Sequence, residues 1–335
     1  MTTRMLLLGF LVIASPAYAQ HRELERDMLS GEEFVSTFSI VAYDPETREL
    51  GVGVQSRAFR AGAIVPYAVA GIGAIATQAA ANQTYGPRAI ELLREGRSPE
   101  EVIQIMTSED PGRDRRQVAV IDARGRAAAY TGGGLPAEAG RWASHIIGTT
   151  YSVQGNTLAG RQVVEEMARA FEETAGELSE RLMAALDAGQ AAGGDIRGMQ
   201  AAGIYVVRPI DGGRTTDKWV DIRVDDAVDP FNELRRLLNI TLSSRRADRA
   251  EALREEGRIE EAIAEQEAAT HMYPGRDSYL FTLAELYAEA GRDRAALNAL
   301  RAAIRSSERW KGDARASTSF QRFRGTEEFE VLTGG

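Results

Sequence analysis

The sequence predicts an α+β protein: two antiparallel sheets face to face with a helix layer outside each, a four-layer αββα sandwich, followed by a C-terminal α-helical repeat segment. Three observations predict it. From Thr37 the chain reads strands, a helix pair, strands, a second helix pair and strands again. Strand runs joined by short turn signals pair as antiparallel hairpins, and a helix pair between such hairpins has to lie outside a sheet. After Phe231 the composition turns to Ala, Glu, Arg and Leu, and a repeat appears: AEALREEGR at Ala250–Arg258 recurs as AELYAEAGR at Ala284–Arg292. Their offset of 34 residues is the tetratricopeptide period.

Taken in order, residues 1–19 read as a secretory signal peptide, with Arg4, the apolar run Met5–Ala14 and the small-x-small site Ala17-Tyr18-Ala19. Ten apolar residues are too few to span a bilayer. Cleavage leaves Gln20 first and a leader, residues 20–36, ahead of the folded part. Strands are expected over Phe38–Asp44 and Leu50–Ser56, where Val41, Tyr43, Leu50, Val52 and Val54 alternate with small or polar residues around DPETRE. Further strands are expected at Gly71–Gln78, Gln117–Asp122, Ala127–Thr131, Gly203–Val207 and Trp219–Val224. The helix pairs are Tyr85–Arg94 with Pro99–Thr107, the latter capped by Ser98 ahead of Glu101, and Leu158–Thr174 with Leu178–Gln190. The first domain thus covers residues 37–238, the helical repeats 239–312 and a tail 313–335. Two repeats bury little surface alone, so they should lean on the first domain or on a partner.

Composition narrows the function. Removing residues 1–19 takes away one Arg and no acid, so the rest carries −10, against nucleic acid or an anionic membrane surface as partner. There is no cysteine, which excludes thiol chemistry and cysteine-ligated zinc while tolerating an oxidising compartment. The glycines of Gly51-Val-Gly53 and Gly71-Ile-Gly73 sit inside strand patterns and open no helix, so they read as close backbone approach rather than phosphate loops.

Candidate site residues cluster at strand ends. Thr37 heads the first hairpin, where an N-terminal hydroxyl residue can use its own freed α-amine as general base; the alternative is an ordinary strand threonine. Gln78, Ala79 and Asn82 lie where a strand of small residues runs into a helix entry; their amides suit a substrate amide or carboxylate, and turn formation is the alternative. Gln154 and Asn156, in YSVQGNTL, are read at a turn before a helix, Asn156 as its cap or as an oxyanion donor. Asp195, Arg197 and Gln200 fall at a strand entrance, and Gln55 and Arg57 at the end of the second strand. Asp221, Arg223, Asp225 and Asp226 form an acidic strand end that reads as an Arg-paired edge without calcium-loop spacing.

At TFSIVAYDPETRELGVGVQS, AIATQAAANQTYGPRAIELL, YSVQGN, AAGGDIRGMQ and WVDIRVDDAVDP, the chain resembles the bacterial and archaeal domain of unknown function 1028 family, from Thr37 to about Leu238. That family is grouped with the N-terminal nucleophile hydrolases, and the resemblance implies their αββα fold. It implies Thr37 as nucleophile, Asn156 with Gln78 and Ala79 as oxyanion or substrate-orienting groups, and Gln55 and Arg57 as polar residues flanking the site. Members beginning Met-Thr-Phe-Ser expose this threonine on Met removal, whereas here the 17 residues Gln20–Ser36 still precede it, so the Ser36–Thr37 bond must be cut or the mechanism is not used. Some members carry a peptidoglycan-binding module in place of the helical repeats. The expectation is therefore an exported, periplasmic or secreted amidohydrolase acting on a small-molecule or peptide amide such as a muropeptide fragment, with no cofactor or metal and no membrane span after signal cleavage. A protein partner is expected on the tetratricopeptide-like repeats, and a homo-oligomer is left open. The alternative is a non-catalytic ligand-binding domain carrying the same interaction module.

Overall fold

The computed structural model describes residues 37–135, 141–210 and 215–335. The expected signal peptide and leader lie outside the described residues. Among the described residues ten strands form two antiparallel sheets. The larger runs in the order β10 (Lys218–Val224), β9 (Ala201–Val207), β2 (Glu49–Ser56), β1 (Thr37–Asp44), β8 (Tyr151–Leu158) and β7 (Trp142–Ile147). The smaller runs β3 (Pro66–Val69), β4 (Gly73–Ala79), β5 (Arg116–Asp122) and β6 (Ala127–Thr131).

Strand alternation decides which residues meet between the sheets. In β1, Val41 and Tyr43 face the second sheet and join Val52 and Val54 of β2, Ala74 and Ala76 of β4, and Ala119 and Ile121 of β5 in one core. Phe38, Ile40 and Ala42 face the other way, onto helices α4 (Gln162–Glu173) and α5 (Leu178–Ala191). On the far side of the small sheet, Ile75, Val118 and Val120 pack on α2 (Tyr85–Arg94) and α3 (Pro99–Glu109). The one-turn α1 (Ala61–Ile64) lies against β9. Ser98 caps α3 with the reciprocal Glu101 bond expected from the sequence. Gly51 is a packing glycine: a Cβ there would stand 2.7 Å from Leu182 of α5.

Three strands were not expected. β3 is short and begins with Pro66, and β7 carries no clean alternation. β8 corrects the reading of YSVQGNTL as a turn: Ser152, Gln154 and Asn156 alternate with Val153 and Gly155 in a buried central strand, and the following helix begins at Gln162, not Leu158. The glycine there marks a strand rather than a turn.

The 26-residue α6 (Pro230–Glu255) runs through position 238 without a break. Its first half lays Phe231, Leu234, Leu238 and Leu242 on the outer face of the large sheet, and its second half enters the C-terminal helical segment. There α7 (Ile259–Met272), α8 (Asp277–Glu289) and α9 (Asp293–Ser306) follow, each packed on its predecessor. The 34-residue repeat is visible in the caps: Gly257 and Gly291, with φ 75° and 74°, end equivalent helices, and Arg258 and Arg292 donate back to the Leu253 and Tyr287 carbonyls at 2.9 and 2.8 Å. The tail holds α10 (Trp310–Ala316) and α11 (Glu327–Thr333) and closes the last core with Phe320, Phe323 and Phe329 beside the stacked Phe281–Trp310 pair. Among the described residues no helix is long and apolar enough to cross a membrane.

Candidate functional site

One end of the space between the sheets is polar. Thr37 lies on the same face of β1 as Val41, opposite Ser56 of β2 and Asn156 of β8. Its side chain is fully buried, and Oγ1 donates to Ser56 Oγ at 3.0 Å. Ser56 Oγ also accepts from the Ala58 amide at 3.1 Å, which holds the acceptor in place. The Thr37 carbonyl accepts from two side-chain amides, Gln78 Nε2 at 3.2 Å and Asn156 Nδ2 at 3.4 Å.

Behind these groups stands Gln117, the first buried residue of β5. Its Oε1 accepts from Gln78 Nε2 at 2.8 Å and from Asn156 Nδ2 at 3.1 Å. Its Nε2 is shared among Thr131 Oγ1, the Ser144 carbonyl and the Gly155 carbonyl at 3.0, 3.1 and 2.9 Å. The register of β7 on β8 shifts between Trp142 and Ser144, and the Gln117 amide donates to two carbonyls beside that irregularity. A second arm runs from Ser152 Oγ to Gln154 Oε1 at 2.9 Å, from Gln154 Nε2 to Ser39 Oγ at 2.7 Å, and from Ser39 Oγ to Gln78 Oε1 at 2.5 Å. Thr131 Oγ1 also meets His145 Nδ1 at 2.9 Å, and burial pushes the His145 pKa down, favouring a neutral imidazole. Two non-glycine residues at this end have left-handed backbone, Ala79 at φ 65° and Thr157 at φ 53°. Strain of this kind, of order 1–3 kcal/mol each, persists only where the surroundings over-determine it.

The structure therefore brings together Thr37, Gln78, Ala79, Gln154 and Asn156. Asn156 is not a helix cap; its amide points into the network. Gln55 is buried on the opposite, helix-facing side of β2, where its Nε2 donates to the Gly198 carbonyl at 3.3 Å. Arg57 donates through Nη1 to the Arg197 carbonyl. Asp195 is buried and accepts from the Arg57 amide at 3.1 Å and from Arg197 N and Nη2 at 2.8 and 3.1 Å. Gln200 donates to the Ser56 carbonyl through its amide and to Asp226 through Nε2, both at 3.1 Å. These five, Arg197 included, line the end of the sheet rather than the network. Asn82 stands apart: it organises its own turn, accepting from Thr84 N and Oγ1 at 3.1 and 2.7 Å and donating to Asp110 at 3.4 Å. Asp221 faces Lys218 and Arg223, and Asp225 faces Arg223; among the described residues no cluster of three or more metal-ligating side chains occurs.

Sequence reasoning missed Gln117, Ser39, Ser152 and Thr131. The signal was present as polar residues at i, i+2 and i+4 on faces otherwise apolar: Thr37 and Ser39 before Val41, Gln117 before Ala119 and Ile121, and Ser152-x-Gln154-x-Asn156.

An α+β protein of two antiparallel sheets enclosing a buried hydroxyl and amide network around a strand-head threonine is the class these features define. The chain belongs to DUF1028, a family of unknown function, whose model matches residues 37–234. It is similar to the crystal structure of protein SPO2555 from Silicibacter pomeroyi, a protein of that family. The identity is 31%, 61% of this chain and 84% of that chain are covered, and the TM-score is 0.54. No curated protein matches the chain.

Proposed function

We propose that this protein is an exported amidohydrolase of the N-terminal nucleophile type, its sheets and helix layers forming the four-layer αββα sandwich of that class. The observation that carries the reading is the setting of Thr37: first residue of a central strand, hydroxyl already hydrogen-bonded, and two amide donors converging beside it. Once the Ser36–Thr37 bond is cut, the α-amine in its neutral form accepts the Oγ1 proton as Oγ1 attacks the substrate carbonyl. Asn156 Nδ2, whose bond to the Thr37 carbonyl is the longest in the network, turns to the developing oxyanion. The α-ammonium then protonates the leaving amine, and water hydrolyses the Thr37 ester. Export from residues 1–19 places the protein in the periplasm or outside the cell, where a peptide or muropeptide fragment is the substrate class. The tetratricopeptide-like helices recruit a protein partner.

A second reading is a ligand-binding domain without turnover, favoured by the complete burial of Thr37 and by the engagement of both amide donors with its carbonyl. Mass analysis of the mature N-terminus separates the two. A Thr37 terminus, together with Thr37→Ala losing all turnover of an amide panel while keeping the wild-type melting temperature, supports the hydrolase. A Gln20 terminus, or a Thr37→Ala protein as active as wild type, overturns it.

A further inference from the structure

Ahead of Thr37 the track of β1 in the large sheet is bordered by another segment of the chain. Beyond Asn156, the neighbour of β8 on the β1 side is no longer β1 but residues 194–196: Leu158 bridges antiparallel to Asp195, Ala159 N donates to the Gly194 carbonyl at 3.1 Å, and Ile196 N donates to the Thr157 carbonyl at 3.3 Å. On the β2 side the Ser56 carbonyl accepts from Gln200 N, so across the trans peptide the Arg57 N–H points back toward the β1 track. Its acceptor there is Asp195 Oδ2 at 3.1 Å. The Thr157 carbonyl and the Arg57 amide, which border this track on its two sides, thus bond to the Ile196 amide and to the Asp195 carboxylate.

That segment carries a charge. Asp195 bridges to Leu158 on the β1 side of β8, its unexposed carboxylate accepts the Arg57 amide that points into the same track, and the partly exposed Arg197 is its cation. A backbone amide alone does not need a buried carboxylate in that place, whereas the α-ammonium created by cutting the Ser36–Thr37 bond does. We infer that Asp195 is the positioning residue for the freed α-amine of Thr37, holding it in the β1 track beside its own hydroxyl. This rests on the reading of Thr37 as an N-terminal nucleophile. It adds a residue whose effect is on the amine, not on the substrate.

The test uses full-length protein in which residues 33–36 are replaced by a factor Xa recognition sequence, so that the protease frees Thr37 irrespective of natural processing. The pH dependence of acylation of the Thr37 amine by limiting acetic anhydride is followed by peptide mass analysis in wild type and in Asp195→Asn, which keeps an acceptor oxygen for the Arg57 amide. An adjacent carboxylate stabilises the ammonium form, so the wild-type amine titrates above the ordinary α-amine range and is acylated at pH 7 about tenfold more slowly than the amine of the Asn variant. If Asp195→Asn fails to fold, Arg197→Gln is used: it removes the competing cation and slows acylation further. Identical titration in wild type and in a folded variant overturns the inference. A natural chain that keeps its Ser36–Thr37 bond, beside a protease-cut chain that shows the shift, sinks the proposed hydrolase mechanism and leaves the Asp195 pairing standing.

Discussion

The two ends of the space between the sheets are built on the same strands with opposite chemistry. Towards one end Val41, Val52, Val54, Ala74, Ala76, Ala119 and Ile121 exclude water and contribute stability in proportion to the apolar area they bury. Two and four residues further along the same faces stand Thr37, Ser39, Ser56, Gln78 and Gln117, equally buried but held by hydrogen bonds. Such a network nets little stability, since each bond replaces one to water, yet it is costly to interrupt. The difference teaches that the apolar end holds the two sheets together, while the polar end fixes the directions of its buried side chains through their hydrogen bonds.

Four perturbations test that division, from the largest expected effect to the smallest. Asn156→Ala should reduce turnover by on the order of 10²–10³ if its amide is an oxyanion donor. A loss below about threefold in a normally folded variant would remove Asn156 from the chemistry. Gln117→Leu fills the same volume but removes the donor to the Gly155 and Ser144 carbonyls and the acceptor of the Gln78 and Asn156 amides. It should cost about 3 kcal/mol in denaturant unfolding; near-neutral behaviour would mean that the network is slack.

Glu49, at the opposite end of β2 from Ser56, is the third. It is almost wholly buried, and burial, reinforced by Glu177 and offset by Arg208 at 3.8 Å and by Arg245, pushes its pKa up to about 7. Because the folded value lies above the unfolded one, this group's contribution is fully present below about pH 4.3 and is lost as pH rises through 7. Glu49→Gln should therefore remove a decline in stability on the order of 2 kcal/mol between pH 5 and 8, read from urea unfolding at each pH. Parallel pH profiles for the two proteins would contradict the shift. Smallest is Ile121→Val in the apolar end, expected to cost about 1 kcal/mol with turnover unchanged. A loss of turnover as large as that of Asn156→Ala would show that the two ends are not separable.

The sequence by itself determined the antiparallel hairpin of β1 and β2, the two helix pairs and the helical repeat, because period-2 and period-3.6 patterns and the cap residues Ser98, Gly257 and Gly291 act locally. It also singled out Thr37, Gln78, Gln154 and Asn156, four members of the network. What only the tertiary structure decided is who faces whom. Gln117 reads as an unremarkable strand residue until β5 is laid across β8, and Asn156 reads as a cap until SVQGN is placed in a sheet. Asp195 and Thr37 are 158 positions apart in the chain and share one strand track. Register and sheet order are long-range choices, settled by which apolar faces can be buried together, and no local pattern encodes them.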